Sequence, residues 1–281
     1  MKTWKKIVLG VSLISLFLGG GLVAWGYSQG GLTDLQNQTK SEQDYVKKEV
    51  NDFNKIDIKS SSYNVLIKNG DVDKATLSYY QKTKNSIDTS VKDGQLTIND
   101  NNSELDSTSN KHINFFGLKD LVRLSTLNEE VRNKTIVITL PKTQTIDFLK
   151  VDLATGNLDL SNSTIKQADI NLNVGDLTFT KMIVSNLKAN LDVGSVDSDH
   201  TLFTNSNLSI AMGDYSGDNL IFNGHNKLDV TSGDIEIALK DYTLNVQADS
   251  HSGEVDITNN LKISKDNTLT ITSDLGDITV E

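Results

Sequence analysis

From about residue 145 onward, apolar and polar residues alternate in short runs that recur at a nearly fixed interval. Each run is centred on a glycine: Gly156, Gly175, Gly194, Gly213, Gly233, Gly253 and Gly276, spaced by 19, 19, 19, 20, 20 and 23 residues. The surrounding text repeats as TGNLDL, VGDLTF, VGSVDS, MGDYSG, SGDIEI, SGEVDI and LGDITV. Two positions after each glycine stands an apolar residue: Leu158, Leu177, Val196, Tyr215, Ile235, Val255 and Ile278. Four positions after it, five of the seven are apolar, Ser198 and Gly217 being the departures. A second alternating pair precedes most glycines, as in Ile170 and Leu172, and a third apolar point follows about nine residues later, at Ile165, Val184, Phe203, Phe222 and Tyr242. Period-two alternation means strands with one buried face. Three inward clusters per repeat mean a coil with three sides. One such coil cannot bury its own edge, so successive coils are expected to stack about 4.8 Å apart as parallel strands.

The glycines mark corners that need positive φ or close backbone approach. Asn157, Asp176, Asp214 and Asp234, which follow them, suit turns. A β-sandwich also has short strands and frequent turns, but the constant glycine interval favours a β-solenoid. At the coils carrying Ser198 and Gly217 the core is expected to be thinner or bulged.

Ahead of the repeat, FNKIDIKS, YNVLIKNG, ATLSYYQ, SIDTSVKDG and QLTIND read as strands, and SSSYNVLI at 60–67 resembles a coil. TIVITLP (135–141) and TIDFLKVDL (145–153) lead into the first clear repeat. A solenoid needs a cap over its open edge, and this region is placed to supply it. Residues 101–134 interrupt the pattern: a polar run, then Ile113, Phe115, Phe116, Leu118, Leu121, Val122 and Leu124 in a mixed helical pattern. Two readings stand for them, an exposed apolar lip that touches membrane or partner, and a segment folded over the solenoid end.

At the N-terminus, residues 7–24 (IVLGVSLISLFLGGGLVA) carry no charge. As a helix they span about 27 Å, close to the hydrocarbon thickness of a bilayer. Lys2, Lys5 and Lys6 precede the run, and Trp4, Trp25 and Tyr27 flank it. This pattern predicts a single-pass anchor with a cytoplasmic N-terminus and everything beyond about residue 27 outside. A cleaved signal peptide is the competing reading, disfavoured by Leu22 two positions before Ala24. Residues 28–50 read as a polar stalk with a short helix near Asp44–Val50. The expected organisation is therefore an anchor at 1–27, a stalk at 28–50, a β-rich N-terminal cap at 51–134 containing the insertion 101–134, and a solenoid of about seven 19–20-residue coils at 135–281. The expected fold is all-β, preceded by one transmembrane helix, at the cell membrane.

Composition narrows the chemistry. The chain has 281 residues, no cysteine and one proline, Pro141. The absence of Cys removes disulfides, thiolate metal sites and Cys nucleophiles. Net charge is −10, and beyond the three N-terminal lysines the chain carries 24 basic and 37 acidic residues. Nucleic acid is excluded as a partner, because phosphate binding needs a basic surface. No phosphate loop, G-x-S-x-G elbow or H-E-x-x-H occurs. The four histidines, His112, His200, His225 and His251, lack metal-ligand spacing. No catalytic residue, cofactor or small-molecule substrate is indicated. Glycan cleavage would need two acids held a fixed distance apart in a cleft, and nothing selects such a pair.

The column Asn157, Asp176, Ser195, Asp214, Asp234, Glu254 and Asp277 would stack vertically, and like charges that close repel unless screened or cation-bound. A weak calcium site between Asp214, Asp234 and Glu254 is one reading; turn residues splayed into water is the other.

The repeated G-[DNE]-[ILV]-x-[ILV], the strand ITLPK at 138–142 and the N-terminal apolar run together resemble a bacterial β-strand-repeat family, a domain of unknown function regarded as a candidate adhesin. The resemblance covers about residues 50–281. It implies a β-repeat fold, brings no catalytic residues, and includes membrane-anchored relatives associated with envelope stress. It implies partners in the cell envelope or among membrane proteins. The two functions expected are a non-catalytic surface module and an envelope-stress component that meets membrane partners or cationic peptides.

Overall fold

A computed structural model describes residues 43–82, 87–100 and 134–281. These are all-β, with parallel strands as the main theme and no helix among the described residues. The apolar run at 7–24 and the helical pattern at 113–124 lie outside them.

The repeats around Gly156, Gly175, Gly194 and Gly213 each form one three-sided rung. In a representative rung, Ala168–Val174 runs along the first face, Gly175 turns the chain, Leu177–Thr180 forms the second face and Ile183–Ser185 the third. The next rung repeats the pattern in register: Ile170 pairs with Ala189, Leu177 with Val196 and Val184 with Phe203. Among the described residues the first faces form a ten-stranded sheet, while the second and third are joined into a fifteen-stranded sheet because Tyr215–Asn223 runs across both. The alternating residues point inward as the pattern requires; Leu158, Leu177, Val196, Ile235 and Ile278 are fully buried. Phe179 on the second face meets Phe203 of the next rung's third face edge to face, and Phe203 stacks on Phe222, with ring centroids 5.3 and 5.8 Å apart.

Of the two weak coils, the one carrying Gly217 is bulged, while the Ser198 coil pairs in unbroken register. Ser198 and Gly217 leave space that larger neighbours fill: Tyr215 is buried over Gly217, and a register shift between Gly217 and Leu220 brings the Leu220 side chain inward. A Cβ on Gly217 would lie 2.4 Å from Leu220 Cδ1. Here glycine makes room for a side chain rather than for a turn.

Residues before the repeat join the stack. Lys55–Ser60 pairs in parallel with Phe148–Leu153, and Asn64–Gly70 with Leu158–Ser161, so 55–70 makes a rung without a corner glycine. Below it, Gln95–Asp100 lies on the first face and Thr135–Pro141 on the second, each parallel to that rung. Two antiparallel strands, Ile87–Lys92 and Thr76–Lys82, then close this end. Gln43–Glu49 adds a further strand beside Thr76–Lys82, where a short helix was expected. An open sheet edge and the contact of Tyr45 with Tyr80, centroids 4.9 Å apart, supply pairing that helix propensity cannot match.

At the other end the rungs do not follow sequence order. Thr268–Leu275 lies between His225–Ser232 and Asn245–Ser252, and Ile278–Val280 lies between Ile235–Leu239 and Val255–Ile257. The chain skips one layer, forms the terminal rung around Gly253, and returns through a longer connection to fill the gap. Val255 is consequently 42% exposed, although it sits at an inward position of the repeat.

Candidate functional site

The glycine corners build a continuous ridge. Gly194 has φ of 149°, and a Cβ there would lie 2.0 Å from the carbonyl oxygen of Gly175. Only an α-carbon without a side chain permits that approach. The residue after each glycine explains the acidic column. The Asp176 N–H donates to Asn157 Oδ1 (3.0 Å), the Ser195 N–H to Asp176 Oδ1 (3.0 Å) and the Asp234 N–H to Asp214 Oδ1 (2.9 Å). The series continues through Asp277 on Asp234 (2.9 Å) and Glu254 on Asp277 (2.8 Å), and it starts with Asn157 on Asn64 (2.9 Å). Each side chain accepts the corner N–H of the next rung, which offsets the like-charge stacking.

The three acids that one of the two readings gathers around a calcium ion, Asp214, Asp234 and Glu254, are not brought together. Asp214 and Asp234 occupy neighbouring rungs, but Asp277 stands between Asp234 and Glu254. The last two rungs exchange places relative to chain order, which puts Asp277 beside Asp234 where Glu254 would otherwise stand. One oxygen of both Asp214 and Asp234 is also engaged by a backbone donor. All seven repeat glycines do fall on the ridge.

The outer surface of the ten-stranded sheet is polar and regular. Asp152, Asn171 and Asn190 align in register, Asn171 Nδ2 donating to Asp152 Oδ1 and Asn190 Nδ2 to Asn171 Oδ1, both at 2.9 Å. Beside them Lys150, Asp169 and Lys188 form a second column of alternating charge. Lys59, Asn99, Asp152, Asn171 and Asn173 border a depression of about 600 Å³ on this surface. Lys166 holds the Asp147 carboxyl below its ordinary value through an ion pair of 2.7 Å. On the second face, burial raises the carboxyl of Asp159, opposed by a hydrogen bond from Thr178 and reinforced by Asp176.

Among the described residues, one group of metal-type ligands converges: Asp199, His200 and Asp218, with ligand atoms all within 4.8 Å of one another. Histidine spacing alone could not reveal it, since the two aspartates come from different rungs. The available signal was that Asp218 follows Asp199 by one repeat length, 19 residues. His225 instead meets Thr268 (3.0 Å), and His251 is exposed on the terminal rung.

Several solved structures are similar in outline at low identity. A candidate cell adhesion protein of Clostridium sporogenes has 15% identity and a TM-score of 0.36, covering 85% of this chain and 99% of that one. A candidate adhesin of Bacteroides fragilis has 16% identity and a TM-score of 0.39, covering 86% and 98%. A candidate lipid-binding protein of Parabacteroides distasonis has 12% identity and a TM-score of 0.46, covering 86% and 98%. No curated protein matches the sequence. The Toastrack DUF4097 family model matches residues 53–281, which take in the whole rung stack together with its antiparallel closing strands. By that match the chain belongs to the Toastrack DUF4097 family.

Proposed function

We propose that this chain is a non-catalytic binding module displayed on the outer side of a cell membrane, anchored by residues 7–24, and that it meets a cell-envelope component through the outer surface of the ten-stranded sheet. The observation that carries this reading is the in-register Asp152–Asn171–Asn190 column. Amide and carboxylate groups repeat there once per rung on a rigid frame. Asn171 Nδ2 also reaches Asp169 Oδ1 at 3.5 Å, whereas Asn190 spends one donor on its neighbour, and both amides keep acceptor capacity for a ligand. Such an array suits an extended polar polymer with a repeat of its own.

The test is sedimentation of the purified full-length chain, held in detergent, with isolated cell-wall material over a range of salt. Binding that persists at high salt and is lost in Asn171→Ala/Asn190→Ala supports the reading. Binding indifferent to those substitutions overturns it. A second reading, contact with cationic peptides in an envelope-stress response, is favoured by the acids Asp176, Asp214, Asp234 and Asp277 along the ridge and the net charge of −10. It requires peptide binding that disappears with salt and does not depend on Asn171 or Asn190.

A further inference from the structure

We propose that Asp199, His200 and Asp218 form a binding site for a first-row divalent transition metal of the zinc type. The argument starts from the backbone. Asp199 and Asp218 are parallel partners on adjacent rungs, so their side chains leave the same edge of the second face. Elsewhere in this column Ser161 pairs with Thr180 and Thr180 with Asp199. Two carboxylates therefore stack at this one step, where neighbouring steps carry hydroxyls. Directly opposed like charges are unfavourable, and a shared cation reverses the sign of that interaction.

His200 completes the set through its local conformation. Its φ of 49° is left-handed, a conformation its column shares with Asn162, Lys181 and Asn219. Its N–H donates to the Asp218 carbonyl at 2.9 Å, and its Nδ1 lies 2.6 Å from Asp199 Oδ1. Asn219 Nδ2 donates to Asp218 Oδ2 at 2.7 Å, which orients that carboxylate and leaves Oδ1 for a ligand. The side chains of Asp199 and His200 are about half exposed, so small rotations can close the 4.8 Å spread to coordination distance.

The donor set decides the class of ion. One imidazole with two carboxylates suits zinc, nickel or copper, whereas calcium demands more oxygen ligands. Three protein ligands leave a coordination position for water or a partner's side chain. Lys181 and Lys240 oppose cation binding, but the depression they line is bounded by His200 and by neither aspartate.

The test is zinc titration of the full-length chain by calorimetry, alongside melting with and without zinc. One zinc per chain is expected, with a rise in melting temperature that a chelator reverses. His200→Asn keeps a residue that tolerates the left-handed turn, so it should fold normally yet weaken zinc binding at least about tenfold. Asp218→Asn should do the same, while His225→Asn and His251→Asn leave binding unchanged. Zinc affinity that survives both site variants, or falls equally with His225→Asn, overturns the site. So does absence of stoichiometric uptake by the unaltered chain.

Discussion

Gly194 sits where the rungs are closest, and its substitution has a cost that can be stated. In Gly194→Ala the methyl would lie 2.0 Å from a backbone oxygen at a φ of 149°. Neither can relax without separating two rungs, so a loss of about 3 kcal/mol is expected in chemical denaturation. The ridge acids make the opposite case. Asp234→Ala removes the acceptor for the Asp277 N–H and should cost about 1 kcal/mol, while Asp234→Asn keeps the acceptor and recovers most of it. If the column serves the backbone, calcium will not raise the melting temperature of either form. A calcium-dependent rise in the unaltered chain, absent in Asp234→Asn, would restore the cation reading.

The order of the last two rungs is a property of elements. Ile235 is packed between Tyr215 on one side and Ile278 on the other. Ile235→Asp places an unpaired charge in that layer and should cost at least about 4 kcal/mol, unfolding the C-terminal rungs. An unchanged melting curve would refute the register. Removal of residues 268–281 separates sequence order from spatial order. If rungs followed the chain, only the final rung would be lost. Because that segment lies between 225–232 and 245–252, its deletion strips both partners from the rung around Gly253. Amide exchange throughout 245–257 should then become unprotected, and protection retained there would contradict the topology.

Across the whole molecule, stability rests on stacked apolar layers and backbone ladders, and its alkaline pH dependence follows from a few buried phenols. Burial raises Tyr63, Tyr79 and Tyr215 above the ordinary tyrosine value, Tyr215 most of all. A folded-state value above the unfolded one contributes stability that is complete below the unfolded pKa and is lost as pH rises. Unfolding free energy should therefore decline above about pH 10, and Tyr215→Phe should flatten the decline. A steeper alkaline loss in that variant would show that Tyr215 is not the group responsible.

Period, corner and inward positions were all legible along the chain, because each rung obeys local rules: alternation buries one face, glycine turns the corner, and aspartate or asparagine follows it. Those rules placed Leu177, Val196 and Ile278 in the core and the seven glycines on one ridge. Local rules do not say which rung lies beside which. Every rung offers the same backbone pairing edge, so local rules leave the order of neighbouring layers open, and the insertion of 268–280 beneath the Gly253 rung was decided by long-range packing. The same holds for Asp199, His200 and Asp218, which two rungs bring together. It also holds for Gln43–Glu49, a strand because an open edge awaited it. What depends on neighbours in the chain was written in the sequence, and what depends on neighbours in space required the fold.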